Sequence, residues 1–169
     1  MQRTKELRLR KTGKGIVRFK DMDKQTALIK SEHYCAYQER SKLEVLNKLH
    51  EWDVASEDID AVLNTLEDSN YLNEERFAKV YSLGKFRMKN WGRFKIKQGL
   101  AMKGLTDRLI ETGLKEIDAD EYSRKLQFIV AKKSAITSID NELLKKHTVA
   151  KYVIGQGYEP NLVWEVIEA

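Results

Sequence analysis

YLNEERFAKVYSLGKFRMKNWGRFKIKQGLAMKGL, residues 71–105, holds two helices and the break between them. Asn73 can cap a helix whose first turn carries Glu74 and Glu75, acids that suit the positive end of the helix dipole. Phe77 and Tyr81 then share a face at helical spacing. Asn90-Trp91-Gly92 interrupts the pattern, and Ile96 and Leu100 resume it. Gly104 suits a left-handed exit, because it has no Cβ to clash there.

The flanking sequence repeats this design. Ala27, Leu28, Tyr34 and Cys35 form one apolar stripe, and Ser41 opens a helix carrying Leu43, Leu46 and Leu49. Ser56 is the expected cap of a helix burying Ile59, Val62, Leu63 and Leu66. Thr106 starts another with Leu109, Ile110 and Leu114 inward, and Asp118 or Asp120 caps a long one through Leu126, Ile129 and Val130. Residues 140–154 carry Leu143, Leu144, His147, Ala150 and Val153. The single proline, Pro160, opens a last helix with Leu162, Val163, Val166 and Ile167. One proline and nine glycines in 169 residues are too few turn signals for a sandwich or barrel.

Three joints line up. Leu49 to Val54, Leu100 to Leu105 and Val153 to Tyr158 each place an apolar residue four positions before Asp or Gly, with another apolar residue next. The pattern predicts three degenerate repeats of three helices, over residues 23–70, 71–117 and 118–169, behind a basic and flexible arm at 1–22. Ile16, Val17 and Phe19 could form at most a short extended piece of that arm.

Charge is segregated. The formal net charge is +5, but residues 1–20 hold eight Lys or Arg against Glu6 alone. Residues 84–103 hold Lys85, Arg87, Lys89, Arg93, Lys95, Lys97 and Lys103 and no acid, whereas residues 51–70 hold seven acids and no base. Opposed blocks of this purity point to a charged partner, and the net positive charge suggests an anionic one. The bases at 93, 95, 97 and 103 spread over more than one helix face, which suits phosphate or acidic protein rather than the reading of base edges. Trp91 reads either as a core aromatic between two helices or as a stacking platform.

Catalytic constellations are missing from this sequence. His33, His50 and His147 have no ligand spacing, and His33 and Cys35 point to different faces of one helix. Cys35, the only cysteine, lies on an apolar stripe and can form no intramolecular disulfide. There is no glycine-rich phosphate loop or nucleophile elbow. The expectation is a non-enzymatic protein without catalytic residues, metal or cofactor. With no apolar run long enough to span a bilayer, it is expected in the cytoplasm and away from membranes.

Tyr71-Leu72-Asn73-x-Glu75-Arg76-Phe77-Ala78 resembles the hallmark of RecX proteins, and Lys89-Asn90-Trp91-Gly92-x-x-Lys95-Ile96, continuing to Lys103-Gly104, is similar to the helix pair that follows it. Cys35 to Ser41, with Glu44-Val45 and Lys48-Leu49, is similar to the motif of the first repeat. The resemblance is good over residues 25–115 and looser from 120 to 169. Asp53 departs from it where glycine is usual, and Gly99 where a helix former is expected, the latter at a cost of roughly 1 kcal/mol. The resemblance implies an all-α fold, three tandem three-helix repeats in an elongated, curved, right-angled array. It also implies a regulator that binds the RecA–single-stranded DNA filament and restrains its recombinase, ATPase and coprotease activities, without a cofactor; a monomer is expected. Arg40, Arg76, Lys85, Arg87, Lys89, Arg93, Lys95 and Lys97 are the expected contacts, with Tyr71, Phe77, Trp91, Gly92 and Gly104 as structural positions. The competing expectation is a helical protein that binds single- or double-stranded DNA directly through the arm and the 85–103 patch.

Overall fold

The computed structural model describes Leu9–Thr12, Gly15–Arg18 and residues 22–169. Among the described residues there are nine helices: α1 (Lys24–Tyr37), α2 (Lys42–Glu51), α3 (Ser56–Asp68), α4 (Glu74–Lys89), α5 (Arg93–Met102), α6 (Asp107–Lys115), α7 (Ala119–Ile136), α8 (Glu142–Gly155) and α9 (Pro160–Glu168). The expected helical fold is the observed one, with one addition. Leu9–Thr12 (β1) and Gly15–Arg18 (β2) pair antiparallel, Leu9 opposite Arg18 and Thr12 opposite Gly15. This corrects the single extended piece expected there; Ile16 and Val17 do lie in a strand, while Phe19 and the other arm residues at 1–8, 13–14 and 20–21 lie outside the described residues.

The chain divides into a unit ending at Asn73 and a second unit, Glu74–Ala169. In the first, α1, α2 and α3 enclose Ala27, Cys35, Val45, Leu49, Val62 and Leu66. In the second, α4–α6 and α7–α9 share one core. Phe86, Ile96, Leu100 and Ile110 belong to it from one side of the 117/118 boundary, and Tyr122, Leu126, Val153, Tyr158 and Val163 from the other.

The repeated joint has a physical cause. Asp53, Gly104 and Gly157 all have left-handed φ, of 54°, 83° and 94°. This reversal lets the following amide turn back on the helix just ended. Val54 N–H donates to Leu49 O at 3.1 Å and Leu105 N–H to Leu100 O at 3.3 Å, so the two apolar residues of the pattern are bonded to each other. Val54, Leu105 and Tyr158 are then delivered into the cores. Asp53 takes this conformation without being glycine. At Gly99 a Cβ would lie 2.3 Å from the Tyr81 hydroxyl oxygen, so a larger residue there requires the Tyr81 side chain to swing aside.

Helix starts follow the sequence with one shift. Asp118 caps α7 by accepting from Glu121 N–H at 2.8 Å, and Pro160 opens α9. Thr106 stands at the cap of α6 without a side-chain hydrogen bond to it. Ser56 is the first residue of α3, and the cap is Ala55, whose side chain cannot accept. Ser41 forms a reciprocal capping box: its Oγ accepts from Glu44 N–H at 3.2 Å, and its own N–H donates to Glu44 Oε2 at 3.0 Å. Ser41→Ala is expected to destabilise the protein by about 1 kcal/mol in urea unfolding, because it orphans the part-buried Glu44 amide at the helix start.

The inward stripes need three corrections. Leu43, Leu143 and Leu144 are exposed. On α2 the buried phase is Val45 and Leu49. On α8 it is Val149, Ala150 and Val153, which leaves the two leucines of its first turn facing solvent.

Candidate functional site

The basic segment 84–103 occupies the end of α4, the Asn90-Trp91-Gly92 break and α5. Asn90 reverses the chain with φ 55°. Gly92 then begins α5 against the loop after α8. Its N–H donates to Gln156 O at 2.8 Å, and Phe94 N–H donates to Gly157 O at 3.0 Å. The first amides of one helix are thus satisfied by the last carbonyls near another, and the positive end of α5 meets the negative end of α8. A Cβ on Gly92 would lie 2.3 Å from the Gly157 carbonyl carbon, so the contact is main chain against main chain.

The arginines of this segment are engaged within the unit. The Arg93 guanidinium lies 3.8 Å from the centre of the Tyr122 ring and 3.4 Å from Glu159 Oε1. Tyr122 in turn donates its hydroxyl proton to Glu159 Oε2 at 2.6 Å and accepts from Arg93 N–H at 3.2 Å. Burial first, and the Glu159 carboxylate second, push the Tyr122 phenol far above its ordinary range, so it stays a donor. Arg87 grips Glu121 with Nε at 3.1 Å and Nη2 at 2.9 Å. The hydrogen bonds hold the Glu121 carboxyl below, and the Arg87 guanidinium above, their usual ranges. This pair is on the surface, where ion pairs add little to stability.

The lysines are differently placed. Lys85 and Lys95 each set an ammonium 5.0 Å from the centre of the Trp91 ring, which packs at the edge of the core. Trp91 therefore joins helices and carries two charges at once. Lys97 lies 3.6 Å from Glu111, with both side chains about half exposed, and Lys89 is exposed at the end of α4. Arg76 is half-buried near the start of α4, and Phe77 beside it is buried against Tyr81 at 5.6 Å. Gly104 ends α5 with φ 83°. In the first unit, Arg40 lies 3.9 Å over the Tyr34 ring and donates to the Tyr34 carbonyl at 3.4 Å, while Tyr71 is exposed. The structure thus brings Lys85, Arg93 and Lys95 together around Trp91 and Tyr122, and it places Arg40 in the other unit.

One basic surface was passed over in the sequence. Residues 122–139 contain Arg124, Lys125, Lys132 and Lys133 and no acid. On α7, Leu126, Ile129 and Val130 face inward and the outward phase escaped notice, although it exposes Phe128 beside Lys132. An acid-free run with an aromatic in the polar phase of a helix was the available signal. Among the described residues no three His, Cys, Asp or Glu are grouped to hold a metal ion, and no helix is long and apolar enough to cross a membrane.

Comparison with known proteins agrees with this architecture. The sequence model of the family described as "RecX, second three-helix domain" matches residues 73–114. The chain is 28% identical over 133 residues to the regulatory protein RecX of Clostridium acetobutylicum, covering 76% of this chain and 61% of that protein. It is 29% identical over 129 residues to that of Lactococcus lactis subsp. cremoris, covering 75% and 48%. The chain thus spans about half the length of the curated relatives it matches. The crystal structure of RecX from Lactobacillus salivarius superposes with a TM-score of 0.78 at 22% identity, over 86% of this chain and 94% of that one. A module matched at α4–α6, relatives that agree over three quarters of the chain and a shared helical-repeat fold carry one conclusion: in sequence and in fold this chain is similar to RecX proteins.

Proposed function

We propose that this protein binds the RecA–single-stranded DNA filament and restrains its ATPase, strand-exchange and coprotease activities. Similarity to a family of regulatory proteins carries the reading, and the charge of the second unit supports it. Lys85, Lys89, Lys95 and Lys97 supply positive charge on α4 and α5, while Arg87 and Arg93 hold the surface that displays them. Such a field favours encounter with an acidic protein surface or with filament-bound phosphate, and it sets association rate more than final affinity. The eight basic side chains expected as contacts stand in this proposal with divided roles. Arg40 and Arg93 act through the rings they cover, and the lysines act as point charges.

The test is RecA ATPase on single-stranded DNA with substoichiometric protein. Hydrolysis is expected to fall, and Lys89→Glu with Lys97→Glu is expected to raise the half-inhibiting concentration by about tenfold or more. Unchanged hydrolysis, with no co-sedimentation of protein and filament, sinks the proposal.

A further inference from the structure

Behind the basic segment, the end of α4 meets the outer faces of α7 and α8 around a recess of about 120 Å³. Its apolar side is built from residues that a folded chain ordinarily hides: Phe128 is 59% exposed, Ile136 68% and Tyr152 44%. Its charged side is Lys89, Lys132 and Lys133, and no acid lines it. The polarity extends along both helices, since residues 122–139 and 143–158 each lack any Asp or Glu. Both aromatic rings already attract a cation. Lys133 Nζ sits 4.7 Å from the centre of the Tyr152 ring, and Lys132 Nζ 5.9 Å from that of Phe128.

We propose that this recess binds single-stranded nucleic acid, with Phe128 and Tyr152 as stacking faces for unpaired bases and Lys89, Lys132 and Lys133 on the phosphates. Solvent-facing aromatics interleaved with lysines are what such a strand needs, because every base has a π-face and every link a charge. A duplex would present the phosphates but hide the base faces. An acidic peptide would use the lysines and leave two exposed rings without a matching flat group. A lysine over an exposed ring is held more weakly than a stacked base. Entry of a base therefore displaces the ammonium, which swings a short way to the adjoining phosphate. The recess shares Lys89 with the basic segment but none of the Trp91 cluster, and its test uses neither RecA nor a Lys89 variant.

The experiment titrates the full chain, without RecA, into a fluorescein-labelled oligothymidylate of about 16 nucleotides and follows anisotropy. Saturable binding is expected, weakened about tenfold or more by Phe128→Ala with Tyr152→Ala. Both side chains are exposed, so circular dichroism and the urea midpoint should stay at the parent values and separate lost binding from lost folding. Lys132→Glu with Lys133→Glu should weaken binding and flatten its salt dependence, because fewer counterions are released. An abasic strand of the same length should bind as weakly as the double alanine variant. Three results overturn the proposal: no binding by the full chain, equal binding of abasic and oligothymidylate strands, or displacement by polyglutamate as effective as by unlabelled oligothymidylate. None of these outcomes alters the ATPase result expected above, so failure here and failure of the filament reading are told apart.

Discussion

Gly92→Ala is expected to cost the second unit about 3 kcal/mol, near the upper end for inserting one carbon into a packed interior. The added Cβ would meet Gly157 carbon and oxygen at 2.3 Å and Tyr158 nitrogen at 2.4 Å. These are main-chain atoms and cannot swing aside as a side chain could. Relief requires the start of α5 to retreat from the loop after α8, which breaks the hydrogen bonds from Gly92 N–H to Gln156 O and from Phe94 N–H to Gly157 O. Two helix-start amides then lose their partners. Urea unfolding followed by tryptophan fluorescence measures the loss, since Trp91 and Trp164 both pack on this core. Gly84→Ala is the internal control. It lies within α4 with nothing inside 4 Å of the added carbon, so it should stabilise by about 0.5–1 kcal/mol. If both substitutions behave alike, the close approach of the two loops is not what holds the unit together.

Phe86→Ala carries the other large effect, a loss of about 4 kcal/mol. Phe86 is fully buried and begins a line of rings through the second unit. Its centre is 5.7 Å from that of Tyr122, which is 5.0 Å from that of Tyr158. Arg93 covers Tyr122 and Glu159 fixes its hydroxyl, so the middle ring cannot relax into the space Phe86 would vacate. A cavity that cannot collapse is the expensive kind. Phe86→Leu keeps most of the volume and should cost less than about 1.5 kcal/mol. A similar small loss for alanine, measured in the same urea series, would show that the rings repack.

The helices and their exits were legible in the sequence because each depends on neighbours along the chain. Asp53, Gly104 and Gly157 announce themselves by spacing, since the left-handed residue and the apolar pair around it all lie within six positions. Leu43, Leu143 and Leu144 misled for a related reason. Where a helix offers more apolar residues than one face can bury, local periodicity does not choose between phases, and tertiary packing does. The candidate surface was legible only as charge. Whether Arg87 and Arg93 face a partner or grip Glu121 and Glu159 depends on residues far along the chain, and no pattern near position 90 shows it. Phe128 and Tyr152 were hidden differently, because neither marks itself out in helices whose inward faces other residues already fill.

The joint between α5 and α8 has a bearing on how freely this sequence can change. Its hydrogen bonds run from amide to carbonyl, and every residue type except proline provides the same two groups. Only the two glycines are held by sterics, Gly92 for space and Gly157 for space and backbone sign together. Side chains around such a joint can change widely while its hydrogen bonds stay in place, so the sequence is free to vary at every position of the contact but these two.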